Sequence, residues 1–97
     1  MTAYVISDSQ LLDTDAYDSY RKIAGPSVEK YGGTYVARRG EVEVLEGEWQ
    51  PGGVVMLKFP SMEKARAWYH SPEYAEAMGH KSKAMKRNLV VVEGLSE

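Results

Sequence analysis

The chain has 97 residues, a net charge of −2 and no cysteine. This length corresponds to one domain, which we take to span residues 1–97. The charge argues against a nucleic acid or an anionic membrane as partner, and the lack of cysteine excludes disulfides and cysteine-ligated metals. Met1–Tyr4 lacks the basic and apolar parts of a signal peptide, and the longest apolar runs are too short to span a membrane. We therefore expect a cytoplasmic protein.

The first third of the chain predicts a strand followed by a long helix. Ala3–Ser7 has the composition of a strand. Asp13 or Asp15 can cap a helix whose apolar side chains recur every three or four residues, namely Tyr17, Tyr20, Ala24, Val28 and Tyr31. Gly25-Pro26 predicts a kink or a restart within this helix, and Gly32-Gly33 predicts its end.

The middle of the chain predicts two long strands and a small extra hairpin. Thr34–Arg38 is the second strand, and Arg39-Gly40 is a turn. Glu41–Val44 alternates between charged and apolar residues, as a half-buried strand or hairpin arm does. After a loop over residues 49–53, Val54–Phe59 is the third long strand.

The remaining residues predict two helices and a last strand. Ser61 can cap a helix with one apolar face, formed by Met62, Ala65, Trp68 and Tyr69. Ser71-Pro72 ends that helix and starts the next, because proline is tolerated in the first turn of a helix. Leu89–Glu93 is the last strand. A basic run precedes it, which we interpret as a solvated helix end rather than a phosphate or nucleic-acid site: His80, Lys81, Lys83, Lys86 and Arg87.

The order β-α-β-β-α-β indicates the ferredoxin-like split βαβ arrangement, an α+β fold with both helices on one face of an antiparallel sheet. Such a sheet should alternate apolar and polar residues, yet Val54–Leu57 and Leu89–Val92 do not alternate. They predict strands that are covered on both faces, and one protomer has helices for only one face. We therefore expect a homodimer that packs sheet to sheet, which is a dimeric α/β barrel.

This topology brings four candidate site residues to one end of the sheet. The first two long strands run parallel, so Asp8 and Arg38 emerge at the same end, where Trp49 and His70 are also expected. The functional interpretation is a pocket in which Arg38 holds an anionic or carbonyl group and His70 moves a proton. The structural alternative is an ion pair between Asp8 and Arg38 and a surface histidine at a helix end.

The aromatic residues and histidines also have alternative interpretations. An aromatic stripe at helical spacing is more often core than ligand cavity, but buried hydroxyls need partners, which favours Tyr20 and Tyr74 as pocket members. His70 and His80 are ten residues apart, which is not the spacing of a helical metal site, so we predict no metal and no cofactor.

Several short segments, in this order and spacing, resemble those of one known family: Ala16–Tyr20, Tyr31–Arg38, Glu46–Trp49, Phe59–Ser61, Ser71–Tyr74 and Val92–Gly94. The chain resembles the domain of unknown function 1330 family, within the dimeric α/β-barrel superfamily. The resemblance implies the barrel fold and a dimer but no reaction. Some barrels of this superfamily bind haem through one histidine, so the resemblance leaves His80 open as a haem ligand. The chain departs from the family pattern at Gly53 and Lys81, where arginine is usual, and at His70.

We predict a small homodimeric protein that binds an aromatic or carboxylate-bearing small molecule in a pocket beside the sheet. Its candidate ligand-binding residues are Asp8, Tyr20, Arg38, Trp49, His70 and Tyr74. The alternatives are a cofactor-independent oxygenase or isomerase, by analogy with relatives of this fold, and a structural or regulatory dimer without a ligand.

Overall fold

The computed structural model describes residues 1–95, which form a four-stranded antiparallel sheet and three helices. The elements are β1 (Ala3–Leu11), α1 (Thr14–Lys30), β2 (Thr34–Arg38), β3 (Gly53–Phe59), α2 (Met62–Tyr69), α3 (Pro72–Ala84) and β4 (Met85–Glu93). The strands lie in the order β2-β3-β1-β4, with β1 antiparallel to both β3 and β4. The ferredoxin-like α+β prediction is confirmed.

The two faces of the sheet differ in what covers them. Along β1, Ala3, Val5, Ser7 and Ser9 are buried, and the residues between them point to the opposite face. That opposite face carries Ile6, which is paired in register with Val90. Val90 is 56% exposed, because the helices of the protomer pack on the other face. We call this uncovered surface the open face.

Local capping explains where the helices begin and end. The Asp13 side chain accepts a hydrogen bond from the Ala16 backbone N–H at 3.0 Å, and Gly32 takes a left-handed φ of 83° just after the α1 C-cap. The predicted restart in α1 is wrong, because the helix is continuous through Pro26, and the predicted kink stays a prediction. Pro26 is exposed, so water can satisfy the backbone carbonyl that its missing N–H leaves without a partner.

Two predicted strand assignments need correction. Residues 40–52, which we call the 40–52 segment, contain no strand, so the predicted extra hairpin is wrong. The alternation in Glu41–Val44 finds no neighbouring strand within the protomer, and a strand needs a partner for its backbone groups. The last strand starts at Met85 rather than Leu89, which places Lys86 and Arg87 in the sheet instead of at a helix end.

The core lies between the helices and the inner face of the sheet. The ring centroids of Trp68 and Tyr74 are 4.2 Å apart, and Phe59 packs against Trp68 at 5.4 Å. The stripe of aromatic residues is thus partly core, as expected from its spacing. Within residues 1–95, no helix has both the length and the apolar stretch that crossing a bilayer requires.

Candidate functional site

A cavity of about 40 Å³ lies between α1 and the inner face of the sheet. At roughly 10–15 Å³ for each water molecule, this volume corresponds to about three waters. The charged residues of the lining are Arg21, Arg38 and Arg87, and no carboxylate is among the lining residues. The cavity is therefore electropositive although the chain as a whole carries a charge of −2.

Arg87 forms a hydrogen-bonded triad with Tyr20 and Tyr74. Its Nη1 donates to the Tyr20 hydroxyl at 3.0 Å, and its Nη2 donates to the Tyr74 hydroxyl at 2.7 Å. The two hydroxyl oxygens are 2.6 Å apart, so one hydroxyl also donates to the other. We call these three residues the Arg87 triad. It joins α1, α3 and β4 at the end of the sheet where β1 finishes.

Tyr74 and Tyr35 have pKa values that are raised by burial. Burial raises the pKa of Tyr74 well above its ordinary value of 10.0, and the neighbouring Tyr20 adds to this effect. Burial likewise raises the pKa of Tyr35, which lies beside the cavity on β2. The Tyr74 hydroxyl therefore does not ionise to neutralise the positive charge of Arg87.

Arg38 reaches the same cavity from β2 but in a more exposed position. It is paired in register with Val55, whose side chain points to the inner face, and its guanidinium lies 4.8 Å from the centroid of the Tyr35 ring. This cation–π contact orients the guanidinium without neutralising it. Arg38 thus lies at the rim of the cavity that contains the Arg87 triad.

Arg39 adopts an unusual backbone conformation that brings another guanidinium close to the cavity. Its φ is 54°, which is uncommon for a residue with a side chain. Its Nη1 donates to the Ser9 hydroxyl at 2.6 Å, and its guanidinium occupies the space directly above Gly53. Gly53 makes this placement possible, because a Cβ at residue 53 would collide with the Arg39 side chain.

Asp8 lies on the open face of the sheet, away from Arg38. One carboxylate oxygen accepts from Trp49 Nε1 and the other from the Gly52 backbone N–H, both at 2.8 Å. The alternative ion pair between Asp8 and Arg38 does not form, because Arg38 points to the inner face. Asp8 and Trp49 therefore fasten the 40–52 segment to the sheet and do not line the cavity.

His70 lies at the C-cap of α2 and is exposed. It borders a separate groove of about 310 Å³ between α2 and β4, together with Tyr69 and Val91. Its ring packs edge-on against Tyr69, with the centroids 5.2 Å apart. The expected convergence of Asp8, Arg38 and His70 in one pocket is not seen, because each borders a different depression, although the one that Asp8 borders also reaches Arg87.

The cavity thus combines some of the candidate residues with one that sequence reasoning missed. Tyr20 and Arg38 line it, and Tyr74 is bonded to its wall through Tyr20. The basic run predicts a solvated Arg87, whereas its spacing of two from both Met85 and Leu89 fits a strand with Arg87 facing inward. Within residues 1–95, no cluster of three or more metal-ligating acidic or histidine side chains occurs.

Residues 2–95 match the family described as Domain of unknown function (DUF1330). The chain belongs to this family. The match spans almost the entire sequence and confirms the resemblance that the short segments indicated. No protein with a curated description matches the chain significantly.

Solved structures extend the comparison at the level of the fold. A protein of unknown function from Rhodopseudomonas palustris is 21% identical, with a TM-score of 0.80 over 99% of this chain and 84% of that one. A dimeric protein of unknown function with a ferredoxin-like fold from Bacteroides fragilis is 14% identical, with a TM-score of 0.61 over 96% of each chain. SnoaB, a cofactor-independent oxygenase from Streptomyces nogalater, is 7% identical, with a TM-score of 0.64 over 99% of this chain and 95% of that one.

Proposed function

We propose that this member of the family is a homodimer that binds a small organic anion in the cavity between α1 and the sheet. The observation that carries the proposal is the lining of that cavity, which holds Arg21, Arg38 and Arg87 and no carboxylate. Arginines that serve only to solubilise a protein lie exposed on its surface, whereas Arg87 is half-buried and hydrogen-bonded to two tyrosine hydroxyls. Such a lining attracts an anion and gives it directional hydrogen bonds.

The size of the cavity favours a carboxylate over an aromatic ring as the bound group. An apolar cavity that accepts benzene in a well-studied protein has a volume of about 150 Å³. The cavity here has about 40 Å³, so an aromatic ring would require side chains to move. An oxygenase acting on an aromatic substrate is therefore the weaker proposal, and its support is the fold of SnoaB alone.

Two features of the protomer support the homodimer. The open face of the sheet exposes Val90 and Val92, at 56% and 47%. The 40–52 segment beside it exposes Leu45 at 85% and Trp49 at 65%. Large exposed apolar patches are typical of an interface, and the Bacteroides fragilis protein of similar fold is described as dimeric. A second copy, packed sheet to sheet, would remove this surface from water.

The proposal is tested by measuring mass, ligand binding and turnover on the same preparation. Light scattering at micromolar concentration is expected to give twice the protomer mass of 10.8 kDa. In a thermal-shift panel, small carboxylates are expected to raise the melting temperature, and neutral aromatic compounds are not. A stable monomer would contradict the dimer, and a panel without any shift at millimolar concentration would contradict the ligand site. Consumption of oxygen with a panel member would favour the oxygenase instead.

A further inference from the structure

We infer that the ligand is a carboxylate on a short carbon chain and that the Arg87 triad is the site that holds its two oxygens. This inference rests on the proposed function and specifies it further. It names the residue that carries the ligand's charge and the chemical group that is bound. It also makes Arg87 the main ligand-binding residue, instead of Arg38, which the sequence favoured.

The first argument is the charge of Arg87. Its guanidinium is half-buried between Tyr20, Tyr74 and Met78, and within residues 1–95 no carboxylate lies within ion-pair distance of it. A charge withdrawn from water without a partner of opposite sign costs free energy. An anionic ligand would supply the missing partner.

The second argument is the number of hydrogen-bond donors that the triad leaves unused. A guanidinium has five N–H groups, and Arg87 uses one for Tyr20, one for Tyr74 and one for the Met78 sulfur. Its Nε–H and one Nη1–H are left over. One tyrosine hydroxyl donates to the other, so one phenolic hydrogen is left over too. Within residues 1–95 every fully buried side-chain nitrogen or oxygen has a partner, so the unpartnered Nε of Arg87 is not fully buried.

All of these unused groups are donors, so they fit a ligand group that only accepts hydrogen bonds. A carboxylate has about four acceptor positions on two oxygens, so one oxygen can accept from an unused guanidinium N–H and the other from the leftover phenolic hydrogen. An amide of the same shape replaces one oxygen with an NH₂ group, which would face donors. The triad should therefore distinguish a carboxylate from its amide, although the two are almost equal in size.

The third argument compares the arginines that line the cavity. Arg21 is 53% exposed in its side chain and lies 3.4 Å from a carboxylate oxygen of Asp18. Arg38 is exposed and stacks on Tyr35. Arg87 combines partial burial with no carboxylate partner in the described residues. An anion bound there displaces less competing solvent and is screened less by salt than one bound at Arg38.

Calorimetric titration of the full-length protein with propionate, and with propionamide as its neutral isostere, tests this inference. Propionate is expected to bind and propionamide is not. Arg87→Gln is expected to weaken propionate binding at least tenfold, because the positive charge and the unused guanidinium donors are lost. Arg66→Gln, an exposed arginine on α2 that does not line the cavity, is the matched control and should bind propionate as the wild type does. Arg38→Gln is expected to weaken binding less than Arg87→Gln.

Other outcomes would overturn the inference while leaving the proposed function intact. They are equal binding of propionamide, tighter binding of inorganic phosphate than of propionate, or a larger loss with Arg38→Gln than with Arg87→Gln. If Arg87→Gln does not fold, Tyr74→Phe provides the test, since it removes one hydroxyl, keeps the ring and is expected to weaken propionate binding severalfold. If no carboxylate, phosphate or neutral compound binds, both the inference and the ligand part of the proposed function are wrong.

Discussion

A single hydroxyl on α1 connects this helix to the aromatic core. Ser27 is 3% exposed, and its Oγ donates to the Ala24 carbonyl at 2.6 Å. The same oxygen accepts a hydrogen bond from Trp68 Nε1 at 3.0 Å. Trp68 is 2% exposed, so its indole N–H depends on Ser27 for a partner. Tryptophan is normally buried only where its N–H finds such a partner.

Replacing Ser27 with alanine is therefore expected to destabilise the protein. Ser27→Ala leaves the Trp68 N–H buried without an acceptor, which costs about 1–3 kcal/mol in the free energy of unfolding. Urea unfolding followed by circular dichroism measures this cost. Ser19→Ala, an exposed serine on the same helix, is the control and is expected to change the stability by less than about 0.5 kcal/mol. Equal effects of the two substitutions would show that the indole hydrogen bond does not stabilise the fold.

Arg87 shows which kind of site residue sequence reasoning misses. Met85, Arg87 and Leu89 point inward from β4, and Lys86 and Asn88 point to the open face. The alternation of a strand was present, but an inward arginine gives a polar residue where the pattern requires an apolar one. Arg87 can face inward because the hydroxyls of Tyr20 on α1 and Tyr74 on α3 accept its hydrogen bonds. These tyrosines lie 67 and 13 positions from Arg87 in the sequence.

At the scale of the elements, α1 and α3 are joined at one point by an ion pair. Lys30 Nζ donates to one oxygen of Glu73, and the Tyr31 hydroxyl donates to the other at 3.0 Å. The Lys30 hydrogen bond is the main cause that lowers the pKa of Glu73 below its ordinary value of 4.5. The same hydrogen bond raises the pKa of Lys30 above 10.5. Both groups are therefore more fully charged in the folded state than in the unfolded state.

These pKa shifts predict how stability depends on pH. A lowered carboxylate pKa stabilises the fold above the unfolded value near 4.5, and this contribution is lost as the pH falls through the folded pKa. A raised lysine pKa stabilises the fold below 10.5, and this contribution is lost as the pH rises through the folded pKa. We expect Glu73→Gln to flatten the acid side of a plot of melting temperature against pH, and Glu76→Gln, on the same helix, to leave it unchanged. An identical acid decline in the wild type and Glu73→Gln would contradict the prediction.

The helix starts could be predicted from sequence because their causes are local. Asp13, Ser61 and Ser71 each accept a backbone N–H three residues later, within one turn of the chain. The 40–52 segment could not be predicted in this way. Its alternating residues have the pattern of a strand, but whether they form one depends on a neighbouring strand that the protomer does not provide. Local sequence patterns therefore predict helix caps well and the pairing of strands poorly.

At the scale of the whole molecule, the proposed dimer depends on the open face. A stable interface usually buries roughly 800 Å² on each partner. The open face and the 40–52 segment together offer apolar side chains for such an interface, among them Ile6, Met56 and Val90. The four-residue apolar runs in the sequence indicated that both faces of the sheet avoid water. They could not show what covers the second face, because the proposed cover is a second copy of the chain.

A charge placed on the open face is expected to separate the protomers. Val90→Lys would put an ammonium group into the proposed apolar interface, where its desolvation is costly. Light scattering is expected to give half the mass of the wild type at the same concentration, with the helical signal of the protomer retained. Leu12→Lys makes the same change at an aliphatic residue that is 53% exposed outside the sheet, and it should leave the mass unchanged. A dimeric Val90→Lys protein would exclude this face as the interface.

The placement of Arg39 above Gly53 has a consequence for how sequences of this fold can diverge. Any side chain at residue 53 would enter the space that the Arg39 guanidinium fills. The left-handed φ of Arg39 sets the direction in which its side chain leaves the backbone. A side chain at residue 53 would therefore displace the Arg39 guanidinium, which can move because it is the end of a flexible side chain. A larger residue at 53 is tolerated only if residue 39 gives up its contact with Ser9, so we expect the pair to covary among related chains.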